Sequence, residues 1–143
     1  MNINDRESPI LKGAIGMLSL LGFNPFRVQS GVIQTKSGHW MHLAPEGTPD
    51  VCAVVPISGR RLMVETKRPK GGKHTEAQRA FAEAEIANGG VCLLVSDLGR
   101  LQAALLRLKD DPYAKLGLDG TPEGGPALPK PKRRNRSVKA VKP

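Results

Sequence analysis

The chain is poor in aromatic residues and cysteine, and it has no long hydrophobic run. Its five aromatics in 143 residues, Phe23, Phe26, Trp40, Phe81 and Tyr113, are too scattered to form a base-stacking platform of the RNA-binding kind. Cys52 and Cys92 each sit inside an apolar run and belong to no CxxC pair. They read as reduced core residues, and a cysteine zinc site has no support. No apolar stretch approaches the ~18 residues that a membrane span needs. The opening Met1-Asn2-Ile3-Asn4-Asp5 lacks a cationic leader, so no secretory signal is expected. A membrane partner is not expected either, and a bacterial or phage-infected cytoplasm suits such a chain. Neither GxGxxG nor GxxxxGK[ST] occurs, so no organic cofactor is expected, and no internal repeat is visible.

Positive charge is abundant but unevenly placed. Lys and Arg total 22 against 13 acids, for a net charge of +9. Seven of the cations lie from Lys130 onward with no acid among them, which leaves residues 1–129 with 15 bases against 13 acids. The body is nearly neutral, and residues 130–143 form a cationic arm of the kind that binds polyanions without sequence preference. Residues 1–110 read as one folded domain. Gly and Pro crowd the stretch 111–143, which is expected to be a largely disordered tail.

Apolar residues at Ile10, Leu11, Ala14, Ile15, Leu18 and Leu21 follow a helical stripe, which predicts a helix over 7–21. Asn4 or Asp5 is the expected cap, with Gly22 at the end. Residues 23–34 suggest a strand or bent hairpin, and 35–48 a polar irregular stretch. The run Asp50-Val51-Cys52-Ala53-Val54-Val55 reads as a central strand buried on both faces. A turn over 56–61 leads to a return strand, Leu62-Met63-Val64-Glu65-Thr66-Lys67. A second helix is predicted over 75–88, a buried strand over 91–95, and a last helix capped by Ser96 or Asp97 and running through Lys109. The fold class is α/β, in the order α-β-β-β-α-β-α, with one sheet between helices.

Asp50, Glu65 and Lys67 carry the chemistry. Glu65 and Lys67 are two apart on a strand and so share a face. If the turn pairs Val55 with Leu62, Asp50 lies opposite Lys67 and Cys52 opposite Glu65, so the three polar groups converge. A one-residue slip would send Asp50 to the other side. A Glu-x-Lys on a wet sheet face is ordinarily a cross-strand salt bridge. Here apolar residues surround the trio, and charges in such a setting require pairing or a metal. Two neighbouring carboxylates suit a hard divalent ion, Mg²⁺ with Mn²⁺ as a substitute, which can activate water against a phosphodiester. A nearby lysine stabilises the developing charge.

Gly47-Thr48-Pro49-Asp50, then a hairpin, Val64-Glu65-Thr66-Lys67, and Thr75-Glu76-Ala77-Gln78 on the next helix together resemble the VRR-NUC branch of the PD-(D/E)XK nucleases. The likeness spans roughly residues 7–100. It implies a restriction-endonuclease-like core and a metal-dependent endonuclease acting on DNA, with small members resembling homodimers that act on branched DNA such as four-way junctions. By the resemblance, Asp50, Glu65 and the backbone carbonyl of Thr66 hold the metal, and Lys67 acts on the water or the scissile phosphate. Glu7 matches an acid that begins this domain and completes the metal shell, although an acid in a first helical turn also simply complements the macrodipole. Gln78 carries two readings: a site residue, or the N3 member of a capping box with Thr75. Arg68, Lys70, Lys73 and Arg79 surround the expected site and suit a nucleic-acid backbone, as do Lys132, Arg133 and Arg134 in the tail. His39 and His42 lack further ligands nearby and read as solvated loop residues, as does His74. Two other functions fit the same residues: a non-catalytic DNA-binding module and an RNA-directed nuclease.

Overall fold

The computed structural model describes residues 8–67 and 73–123. Helix α1 (Pro9–Leu20) starts at Ser8, whose hydroxyl accepts the Leu11 N–H at 3.2 Å. The cap therefore falls later than Asn4 or Asp5. Proline has no N–H to satisfy and is preorganised for the first helical position, so Pro9 fixes the start. Gly22 follows the C-cap at φ +85°, a left-handed turn that glycine adopts without penalty. Leu11, Ala14 and Leu18 face the core.

The remaining elements are β1 (Phe26–Arg27), β2 (Val32–Gln34), β3 (Trp40–His42), β4 (Val51–Val54), β5 (Arg61–Thr66), α2 (Glu76–Ala87), β6 (Val91–Val95) and α3 (Leu98–Asp110). Strands β1, β4, β5 and β6 form one mixed sheet in that order, with β1–β4–β5 antiparallel and β5–β6 parallel. Strands β2 and β3 form a separate antiparallel ribbon. The chain is thus mixed α/β, with three helices around a mixed central sheet. None of the described helices is long and apolar enough to cross a membrane.

Alternation along the strands sorts the sheet into two faces. Val51, Ala53, Leu62, Val64, Val91, Leu93 and Val95 pack with α1 and α3 in the main core. Cys52, Met63 and Cys92 point the other way, against Ala82, Phe81 and Ile86 of α2. Burial pushes the Cys92 thiol up to about 12, helped by Glu85 and Glu65, and also raises Cys52. Both sulfurs are free and serve as packing groups, as expected.

Besides the helix cap, three expectations change. Pairing runs Val51↔Val64 through Val54↔Arg61, and Val55 donates to the Arg60 carbonyl at 2.8 Å. The register is therefore two residues away from a Val55–Leu62 pairing. A tighter turn over 56–59, with Ile57 at φ 72° and Gly59 at φ 70°, closes the hairpin early. A two-residue shift keeps every side chain on its face. Second, residues 40–42, expected to be irregular, form β3, so five described strands rather than three precede α2 and a separate ribbon accompanies the single sheet expected. Third, residues 111–123, assigned to the tail, lie on the body: Ala114 and Leu116 join the core. The Arg60 guanidinium ties this segment down through the carbonyls of Pro112 at 3.2 Å and Ala114 at 2.7 Å, and Leu94 donates to Leu118 at 2.6 Å. Pro and Gly make this segment irregular without detaching it, because its backbone groups find partners on β6 and Arg60.

Candidate active site

The polar residues of the hairpin gather where β4 begins and β5 ends, on the α2 side of the sheet. Extending the observed register sets Asp50 across from Glu65 rather than across from Lys67, which corrects the expected pairing while keeping the convergence. The Asp50 backbone N–H donates to Glu65 Oε2 at 3.1 Å. The Asp50 carboxylate accepts from both the backbone N–H and the hydroxyl of Thr66, at 3.2 and 3.0 Å on Oδ2. Each acid is thus oriented by the other's strand, and Thr66 contributes two donors that the sequence does not advertise.

Gln78 joins the two halves of the site. Its Oε1 accepts from Lys67 Nζ at 2.9 Å and from the Thr75 N–H at 3.1 Å, while its Nε2 donates to Glu65 Oε1 at 2.9 Å. Thr75 completes the capping box by accepting the Gln78 N–H at 3.1 Å. The cap and site readings therefore coexist: one end of the amide serves the helix and Lys67, the other serves Glu65. Lys67 Nζ also lies 3.5 Å from Glu65 Oε1.

Glu65 is only 8% exposed. Burial raises its carboxyl above the ordinary value, the Asp50 charge raises it further, and Lys67 opposes both. A buried carboxyl near a second acid is expected to shift in this direction. The other buried acid, Glu85, has a plainer explanation, because Arg61 grips it through both carboxylate oxygens. His74 is half-buried beside Lys67 and Arg79; burial first, then those two cations, hold it below its usual value. Arg79 and Lys73 are exposed at this end of α2.

Gly47 explains how the Asp50 loop reaches this place. It has φ +86°, and a Cβ built on it would lie 2.5 Å from the carbonyl carbon and oxygen of Ala77 on α2. Only glycine allows so close an approach of the loop to the helix.

Among the described residues no three His, Cys, Asp or Glu side chains form a metal-holding group. Asp50 and Glu65 are two hard oxygen donors, which is the protein contribution Mg²⁺ commonly takes, with water and phosphate oxygens supplying the rest. The donor set fits such an ion. For Thr66 the contacts to the site run through its N–H and hydroxyl. Glu7, Arg68, Lys70, Lys132, Arg133 and Arg134 lie outside the described residues. Compared with protein-family models, with curated proteins and with solved structures, the chain matches none.

Proposed function

We propose that this chain is a metal-dependent nuclease of the VRR-NUC type, with a restriction-endonuclease-like core, that hydrolyses phosphodiester bonds in DNA. The observation that carries the reading is the meeting of Asp50 and Glu65 with Lys67 and Gln78 at one end of the sheet. A salt-bridged hairpin accounts for Glu65 and Lys67 but not for a second carboxylate brought against a buried one. Mutual repulsion of that kind is relieved by a cation.

Asp50 and Glu65 would hold Mg²⁺ or Mn²⁺, which supplies Lewis acidity toward the phosphate and makes water nucleophilic near neutral pH. Thr66 fixes the Asp50 carboxylate through two donors, so the acid need not reorganise when a ligand arrives. Lys67 is a compact cation beside Glu65, suited to charge that develops on phosphate oxygens. Gln78 sets the height of that cation by accepting from Nζ while holding the Glu65 oxygen. Arg79 and Lys73, with Arg68 and Lys70 between Lys67 and Lys73 in the sequence, suit the flanking phosphates of a nucleic-acid strand. A homodimer acting on branched DNA belongs to the same proposal, since a two-fold pair of such small subunits presents two sites to two strands.

The test is cleavage of single-stranded, duplex and branched DNA, and of RNA, in Mg²⁺ or in EDTA. Mg²⁺-dependent scission of DNA is expected, with Lys67→Ala abolishing it and leaving DNA affinity within a few-fold. Equal activity in EDTA, or full activity of Lys67→Ala, overturns the mechanism. Binding without scission would make the chain a DNA-binding module, and scission confined to RNA would change the substrate class.

A further inference from the structure

The β2–β3 ribbon is too apolar for a structure that nothing covers. Trp40 is 68% exposed, and Val32, Ile33 and Met41 are each more than two-fifths exposed. An ordinary surface hairpin alternates polar residues outward, whereas this one shows apolar side chains on both faces. The register Val32↔His42, Ile33↔Met41 and Gln34↔Trp40 puts Ile33 and Met41 on one face, with Val32, Gln34, Trp40 and His42 on the other. The ribbon is nonetheless well built. Thr35 donates its N–H to the His39 carbonyl at 2.8 Å, and Gly38 donates to Thr35 at 2.9 Å across the tip.

Charge and position say what would cover it. From Phe26 to Ala44 the chain carries Arg27, Lys36, His39 and His42 and no acid at all, although the body as a whole is nearly balanced. That bias suits a polyanion. A second copy of the same ribbon would instead set like charges against each other around a two-fold axis. The ribbon also continues into the candidate site: Ile33 closes a cleft of about 290 Å³ whose other walls include Arg27, Gln29, Ser30 and Asp50. One face of the ribbon therefore borders Asp50, and the opposite face carries the indole.

We propose that the β2–β3 ribbon is a wedge that enters DNA at a fork. One strand passes along the Arg27, Gln29 and Ser30 cleft toward Asp50, while a base of the other strand stacks on Trp40. This rests on the nuclease reading of the Asp50 site. It specifies the substrate as DNA with a strand separation next to the scissile phosphate. Aromatic stacking on a base is tolerant of sequence, as a fork-reading device requires.

Trp40 is the only tryptophan in the chain, so its fluorescence reports on the ribbon directly. The full chain in EDTA, where no cleavage proceeds, is titrated with forked and blunt duplex oligonucleotides. Saturable quenching by forked DNA is expected, with a much smaller response to the blunt duplex. By fluorescence anisotropy of a labelled fork, Trp40→Ala should lose about tenfold in affinity and Trp40→Phe should recover most of it. The side chain is exposed, so both variants should fold, as circular dichroism would verify. Forked DNA that binds without quenching overturns the wedge, as does equal affinity of Trp40→Ala. A Trp40 emission shift that depends on protein concentration without DNA also overturns it, by giving the ribbon to a second copy. Mg²⁺-dependent cleavage with a silent Trp40 refutes the wedge alone. Quenching in a chain that never cleaves refutes the nuclease site alone.

Discussion

Gly47→Ala tests how the site is assembled, because a single methyl group would fall between the Asp50 loop and α2. Two costs combine. The backbone at φ +86° is left-handed, which costs an L-residue roughly 1–2 kcal/mol. The new Cβ would also lie 2.5 Å from the Ala77 carbonyl carbon and oxygen and 2.9 Å from its Cβ, so loop and helix must separate by about 1 Å to regain ordinary contact. Overpacking of that kind typically costs about 1–3 kcal/mol, for a total of about 2–5 kcal/mol if the loop holds its position. If the loop yields instead, Asp50 moves with it, and about 1 Å of misplacement costs on the order of 100-fold in rate. Gly59→Ala is the control. It has φ +70° but open space around its Cβ, and it sits in the turn at the far end of the β4–β5 hairpin. Urea unfolding should show Gly59→Ala down by about 1–2 kcal/mol, from the backbone cost alone, with cleavage intact. Gly47→Ala should fall further in stability or lose cleavage. Indistinguishable urea midpoints for the two variants, with wild-type cleavage in both, would refute the close-approach argument.

Asp50→Asn should weaken Mg²⁺ binding measured by calorimetry, and unchanged affinity would remove Asp50 as a ligand. Glu65 makes stability depend on pH in a direction set by its raised pKa. A carboxyl raised on folding favours the folded state when protonated; that contribution is full below the ordinary value of 4.5 and is lost as pH rises through its folded value. Mg²⁺ takes the ionised form, so its stabilising shift in Tm should be larger at about pH 7.5 than at about pH 5; equal shifts would exclude Glu65 from the site. Gln78→Ala removes a donor from the Glu65 carboxylate and half of the capping box. It should cost about 1 kcal/mol in unfolding and move the Glu65 titration, followed by NMR, still higher; a Glu65 titration that stays put would mean the amide does not serve the carboxylate.

Much of this arrangement was legible from side-chain periodicity. The stripes Leu11, Ala14 and Leu18 on α1 and Leu101, Leu105 and Leu108 on α3 declare their helices because burial on one face leaves a period, while β4 and β6 declare themselves as short continuous apolar runs. The hairpin register was not legible, since it depends on turn geometry. Ile57 at φ 72° is a conformation that β-branched residues rarely adopt, so no turn rule reading residue types would choose that four-residue loop. Strand β3 was missed for the opposite reason: its residues are all exposed and leave no buried-exposed alternation to read. The packing of residues 111–123 hangs on Arg60, more than fifty positions away, and local composition carries no trace of such a contact. Because the register error was even-numbered, Asp50 still falls opposite a residue on the Glu65 face of the hairpin.

The electrostatic layout explains why the carboxylates tolerate their burial. Glu65 accepts from the Asp50 N–H and from Gln78 Nε2 and faces Lys67 at 3.5 Å, so its charge is distributed over three partners rather than left alone in the sheet. Those partners do not offset burial and, after it, the Asp50 charge, which together keep the Glu65 carboxyl raised. Lys67 faces this negative floor, Arg79 and Lys73 are exposed, and His74 is held below its usual value by burial and by Lys67 and Arg79. Under the proposed function, positive charge would meet the floor and negative charge the rim. A divalent cation with a phosphodiester satisfies both at once; either alone leaves one of the two fields unanswered.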